Sequence, residues 1–179
     1  MALTATIYNF DIELSDSDRS VYETLALRVA RHPSESEEYL LTRLLAYTME
    51  YTDGIVFSSG LSEPDEPAVS VRDLTGRIQS WIDVGTPDAA RLHKASKAAP
   101  RVAVYTHKNP GQWIKQLAGG RIHRVDELEL YAIDRGLIAA LAARLERRMA
   151  FSLSINEREI YISIGADTLT GAVLRYPVE

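Results

Sequence analysis

Gly76-Arg77-Ile78-Gln79-Ser80-Trp81-Ile82-Asp83-Val84-Gly85-Thr86-Pro87-Asp88 reads as a strand that stops, turns and feeds a helix. The apolar run ends at Val84, and Gly85 breaks it. Pro87 suits the first helical position behind a Thr86 cap. The helix it opens ends near Pro100 and is followed by the short buried strand Val102-Ala103-Val104-Tyr105. Strand, helix and strand form a crossover unit, which predicts parallel pairing with a right-handed connection. Just upstream, Ala68 to Arg72 reads as the strand paired with Gly76 to Val84, and Asp65 to Pro67 as loop.

Outward from this unit, the chain alternates elements of both kinds. A strand lies within Ala2 to Leu14, where Ile7, Phe10, Ile12 and Leu14 alternate loosely with polar residues. Asp16 or Ser17 caps an expected helix through about Arg31, with Val21, Leu25, Leu27 and Val29 as its apolar positions. Pro33-Ser34 ends it, and Ser34 with Glu37 has the spacing of a capping box for a second helix running to about Tyr51. Asp53-Gly54 is a turn before the short strand Ile55-Val56-Phe57. Asn109-Pro110 opens a short helix that Gly119-Gly120 ends. Arg121 to Arg124 and Leu128 to Ile133 read as strands, Arg135 to Met149 as a helix, and Ala150–Ile155, Glu159–Ile164 and Thr168–Tyr176 as closing strands. The expected fold is mixed α/β in a single domain, 1–179, with helices on a mixed central sheet and antiparallel additions from both termini.

Composition narrows the function classes. The 179 residues suffice for one domain with a sizeable core. Cysteine is absent, which removes disulfides, thiolate zinc sites and a cysteine nucleophile, and suits a cytoplasmic location. No apolar run approaches the ~20 residues of a spanning helix, so no membrane partner is expected. The net charge of −5 argues against broad coating of nucleic acid, which needs many cations. It leaves room for an enzyme that gathers carboxylates around a metal.

The acids nearest the crossover are the candidate chemistry. Strand alternation puts Trp81, Asp83 and Gly85 on one face. Asp65 and Glu66 sit between Pro64 and Pro67, and adjacent carboxylates repel unless solvated or bound to a cation. Mg²⁺, or Mn²⁺ in its place, is satisfied by one or two carboxylates with water and substrate phosphate. Asp65, Glu66 and Asp83 are the candidate metal ligands, with either loop acid able to serve. Lys94, about two turns into the helix, is long enough to reach back toward the strand end. Glu38, at the edge of the apolar arc of Leu40, Leu41, Leu44 and Leu45, is the acid of the second helix most open to a site role; the capping box and the helix dipole account for its neighbours Glu35 and Glu37. Taken singly, each of these residues is as well explained by a cap, a turn or a solvated surface. Their combination suggests metal-dependent phosphodiester chemistry, with Glu38, Asp65, Glu66, Asp83 and Lys94 as catalytic candidates. Arg91, Lys94, Lys97 and Arg101 line the same helix and its exit, placed to meet a phosphate backbone. His32, His93, His107 and His123 show no metal-ligand spacing, and no P-loop or nucleophile elbow is present.

Met1-Ala2-Leu3 with Ala5-Thr6-Ile7-Tyr8, then Ala30-Arg31-His32-Pro33-Ser34-Glu35, Asp65-Glu66-Pro67, and Trp81-Ile82-Asp83-Val84-Gly85 with Pro87, taken in that order, resemble the YaeQ family of bacterial proteins over essentially the whole chain. That family is similar in fold to the PD-(D/E)XK nucleases, as a variant of the restriction-endonuclease core. The resemblance implies Glu38 as the helix glutamate, Asp65 or Glu66 as the loop acid and Asp83 as the strand acid. It implies Lys94 as the lysine, displaced onto the helix. The sequence departs from the superfamily pattern at Gly85, where the strand lysine would stand, and by an aspartate rather than a glutamate at 83. Two functions follow as expectations. One is a Mg²⁺-dependent nuclease acting on nucleic acid. The other is a nuclease-like fold used without turnover, as a binding or regulatory protein. Convergence of the acids on the Lys94 amine favours the first; Lys94 turned to solvent favours the second.

Overall fold

A computed structural model describes residues 4–58 and 65–178. Met1, Ala2 and Leu3, quoted above for the resemblance, and Pro64 of the acidic loop lie outside the described residues. The elements in chain order are β1 (Thr6–Asp16), β2 (Val21–Arg31), α1 (Glu37–Met49), β3 (Ile55–Phe57), β4 (Val69–Arg72), β5 (Ile78–Val84), α2 (Ala89–Ala98), β6 (Arg101–Thr106), α3 (Pro110–Ala118), β7 (Glu129–Ile133), α4 (Arg135–Ala142), β8 (Arg148–Asn156), β9 (Glu159–Ile164) and β10 (Asp167–Tyr176). The fold is mixed α/β, with parallel and antiparallel pairing and, among the described residues, four α-helices. The chain is organised as two compact units, Met1–Leu41 with Ile133–Val173, and Thr42–Ala132 with Leu174–Glu179.

The first unit corrects the expected helix after Asp16. Val21–Arg31 is a strand, paired antiparallel with β1 along eleven residues from Thr6↔Arg31 to Asp16↔Val21. Leu25 and Val29 are buried while Thr24, Ala26, Arg28 and Ala30 face solvent, which is period two. Asp16 helps close the hairpin: its buried carboxylate accepts from Asp18 N, Arg19 N and Arg19 Nε. β1 also pairs with β8, in parallel, so the N-terminal strand is not a wholly antiparallel addition. Phe10, Ile12, Leu14, Phe151, Leu153 and Ile155 are buried on alternating positions of these two strands. The expected helix through Met149 stops at Ala142, because Arg148 already pairs with Asn9 in the β1–β8 ladder. α1 is capped by Ser36, whose Oγ accepts from Tyr39 N, and Ser34 instead bonds His32.

The second unit follows the predicted order. β3, β4 and β5 pair antiparallel in sequence, then β5–β6 and β6–β7 pair in parallel. The cap of α2 is Asp88 rather than Thr86, its Oδ1 accepting from Arg91 N at 2.8 Å. Asn109 caps α3, and Pro110 takes its first position. Arg121 to Arg124 is a turn leading into a short 3-10 segment, not a strand. Trp81, Leu92, Ala95, Val102, Val104, Trp113 and Leu117 form the core under α2 and α3, and the Trp113 indole N–H donates to Pro87 O at 2.8 Å.

Gly54 shows how tightly the β3–β4 turn is set. Its φ is +89°, and a Cβ there would stand 2.2 Å from Arg72 O, the residue whose N–H it receives at 3.0 Å. Gly54→Ala is expected to cost about 1–3 kcal/mol, read as a lowered urea midpoint at unchanged slope. A midpoint equal to wild type would show that the turn re-forms around the side chain.

Candidate functional site

The crossover carries a cluster of acids and bases within the second unit. Asp83, at the penultimate position of β5, is 2% exposed. A buried carboxylate must be paired, and its partner is Arg91 on the first turn of α2. Arg91 Nε donates to Asp83 Oδ2 at 2.6 Å and Nη2 to Oδ1 at 3.1 Å, so both carboxylate oxygens are engaged by one planar fork. The same Nη2 donates to Glu66 O at 2.8 Å, tying the acidic loop to the strand end. The guanidinium carbon lies 5.6 Å over the Trp81 ring. The buried Trp81 Nε1 finds no acceptor among the described residues.

Lys94, one turn further along α2, does not reach Asp83. It pairs with Asp65, and both side chains are more than half exposed. The hydrogen bond from Lys94, reinforced by its charge, holds the Asp65 carboxyl below the usual carboxylate range. The expected convergence is therefore rearranged. Asp65, the Glu66 backbone, Asp83, Arg91 and Lys94 do form one contiguous cluster, but Arg91 has the place beside the strand acid that Lys94 was expected to fill. The reason is reach: Arg91 sits one turn closer to the helix start, and its fork matches a carboxylate bidentately. Glu38 is partly buried on the first turn of α1, in the first unit.

A resident Mg²⁺ or Mn²⁺ is tested by these contacts. The strand acid's two oxygens are committed to a guanidinium, and Asp65 to an ammonium. Among the described residues no three His, Asp or Glu side chains stand together as a metal-holding group. As arranged, the residues do not fit the ion.

A second constellation was not foreseen. Arg101, expected to face phosphate, instead lies between two acids. Its Nε and Nη2 donate to Glu129 at 2.6 and 3.0 Å, and its Nη1 and Nη2 to Glu50 at 2.5 and 3.2 Å. Tyr105 OH donates to Glu50 Oε2 at 2.5 Å and Tyr131 OH to Glu129 Oε1 at 2.7 Å, the two rings stacked 4.9 Å apart. Burial, then the Glu50 charge, pushes the Tyr105 hydroxyl well up, so it remains a donor. Burial alone would raise Glu129, but the hydrogen bonds from Arg101 and Tyr131 outweigh it and leave the carboxyl below its ordinary value. Arg101 lies 28 and 51 residues from its two acids and Tyr105 lies 55 from Glu50, and no local pattern announces these pairs.

Comparison with known proteins fits this architecture. The family model described as YaeQ protein matches residues 1–173. The chain belongs to the YaeQ family. It is 33% identical over 170 residues to the uncharacterized protein YaeQ of Salmonella typhi, covering 94% of each chain. It is 32% identical over 164 residues to that of Escherichia coli K12, covering 91% of each. Two YaeQ crystal structures share the fold. That from Xanthomonas axonopodis pv. citri has a TM-score of 0.89 at 32% identity, covering 98% of this chain and all of the other. That from Pseudomonas syringae has a TM-score of 0.88 at 30% identity, covering 98% and 97%. Among the described residues no helix is long and apolar enough to cross a membrane.

Proposed function

We propose that this YaeQ-family chain is a restriction-endonuclease-like fold used for binding or regulation without phosphodiester cleavage, with nucleic acid as its partner in the cytoplasm. The observation that carries this reading is the bidentate Arg91 fork on Asp83. Arg91 supplies, as a permanent part of the protein, the positive charge that a nuclease of this type would borrow from a metal. The element order α1, three antiparallel strands, α2 and a parallel strand supports the fold reading. The exposure of Lys94 supports binding over turnover.

The contiguity of Asp65, Glu66, Asp83 and Lys94 favours a second reading, a Mg²⁺-dependent nuclease of the PD-(D/E)XK type. That reading requires Arg91 to release Asp83.

Calorimetry with Mg²⁺ and Mn²⁺ on wild type and Asp83→Ala, beside cleavage and binding assays on DNA and RNA, separates the two. The binding reading expects no saturable heat at millimolar metal, no cleavage, and retained nucleic-acid binding. Saturable metal binding that disappears in Asp83→Ala, accompanied by cleavage, would establish the nuclease instead.

A further inference from the structure

The far end of α2 carries a feature that the Asp83–Arg91 cluster does not explain. A cavity of about 520 Å³ opens there, among Arg77, Ile78, Gln79, Lys97, Pro100 and Arg124. Its volume falls within the roughly 300–1,000 Å³ typical of small-ligand sites. Three cations line it and no acid does, in a chain whose net charge is −5.

Two acids come near these cations without lining the cavity: Asp73, which feels the Arg77 charge, and Glu127, which pairs with Arg124. Asp73, four residues before Arg77, accepts from Thr75 N, Thr75 Oγ1, Arg77 N and Gln79 Nε2. That leaves the Gln79 amide oxygen as an acceptor at the cavity wall. Glu127 reaches Arg124 Nε at 3.5 Å, at the rim of a good ion pair. Among the described residues the side chains of Arg77 and Lys97 make no ion pair.

A helix C-terminus repels anions, and this cavity adjoins one. Arg124 answers that objection. Its Nη2 donates to Ser96 O at 2.6 Å and Ala99 O at 2.9 Å, covering carbonyls that would otherwise point at a ligand, and Nη1 remains for a ligand oxygen. Arg124 takes a left-handed backbone, φ +51°, to make this contact. Positive charge also accumulates along the adjoining face: His93 is held below its ordinary value by burial and then by Lys97, Arg121 and His123. Ile78 and Pro100 provide an apolar wall.

We propose that this cavity binds the phosphate group of a small phosphorylated molecule, held by Arg77, Lys97 and Arg124, with the rest of the ligand against Ile78, Gln79 and Pro100. The site is independent of whether Asp83 serves binding or hydrolysis, and lies about two turns along α2 from Arg91.

The test is titration calorimetry in chloride buffer with inorganic phosphate, adenosine 5′-monophosphate and ribose 5-phosphate, on wild type, Arg77→Gln/Lys97→Gln and Lys115→Gln. Arg77 and Lys97 are exposed, so the double variant is expected to fold, and its circular dichroism confirms that it does. Saturable binding of at least one phosphomonoester is expected, weakened about tenfold or more in the double variant, since charge-assisted bonds are the strong ones. Lys115→Gln, at an exposed lysine of α3 outside the cavity, should bind as wild type. An ester tighter than inorganic phosphate identifies a metabolite pocket; equal affinities identify a phosphate-only pocket, and both sustain the site. Equal binding by wild type and the double variant, or no saturation with any of the three probes, overturns it. An oligonucleotide bound where none of the small phosphates is also overturns it, while leaving the nucleic-acid proposal standing; small-phosphate binding without nucleic-acid binding does the reverse.

Discussion

Arg101→Met should destabilise the second unit by about 3 kcal/mol at neutral pH, the lower end of what removal of one partner from a buried ion pair costs. The lower end applies because the Arg101 side chain is 35% exposed, whereas those of Glu50 and Glu129 are 9% and 17% exposed. Without the guanidinium, two largely buried carboxylates face one another, with Tyr105 OH and Tyr131 OH still donating to them and the Arg175 charge acting on Glu129 alone. Methionine keeps the stem's bulk, so the loss reads charge rather than cavity. The sign with pH follows from Glu129. Its folded-state value is depressed, so it adds stability above the ordinary glutamate value of about 4.3, and this is lost as pH falls through the lower folded value. Arg101 is a main cause of that depression. The gap between wild type and Arg101→Met should therefore be widest near pH 7 and narrow below about pH 4. Urea unfolding across that range checks it. A gap constant with pH would assign the loss to packing of the arginine stem.

The crossover unit was legible because its signals are local: an apolar run, a glycine, a proline at a helix start and a second apolar run. β2 was misread for a definable reason. Val21, Leu25 and Val29 recur at every fourth residue, which satisfies a helical stripe and, being of one parity, also a strand face. The arbiter is the partner strand β1, and eleven paired positions outweigh helix propensity. The end of α4 was hidden similarly, since Leu145 continues its apolar pattern while pairing with β1, far away in sequence, claims Arg148 onward. In the candidate site the acids were found and their partner was not. Sequence placed Arg91 and Lys94 on one helix face, but which cation reaches a strand end depends on a one-turn difference that only the backbone path resolves. Glu50 carried no signal, because its partners Tyr105 and Arg101 arrive from a strand 51 residues on.

Arg91→Ala should also cost about 3 kcal/mol, because it leaves the Asp83 carboxylate buried and unpaired. Asp83→Ala should cost a comparable amount by stranding the Arg91 fork, although the guanidinium, 30% exposed, recovers part of its hydration. The double variant should lose less than the sum of the two, with a coupling of about 2 kcal/mol, since neither charge is then left without its partner. Near-additive losses would mean that each side chain acts through separate contacts, Arg91 through Glu66 O and the Trp81 ring. The cycle also discriminates between the two functional readings. Where Arg91 is the built-in counter-charge of Asp83, divalent metal does nothing for the stability of any of the four proteins. Where Asp83 is a metal ligand that Arg91 merely covers, millimolar Mg²⁺ restores stability to Arg91→Ala and not to the double variant. A ligand that binds only the folded state stabilises it by RT ln(1 + [L]/Kd). That rescue would return Asp83 to phosphodiester chemistry and overturn the binding reading.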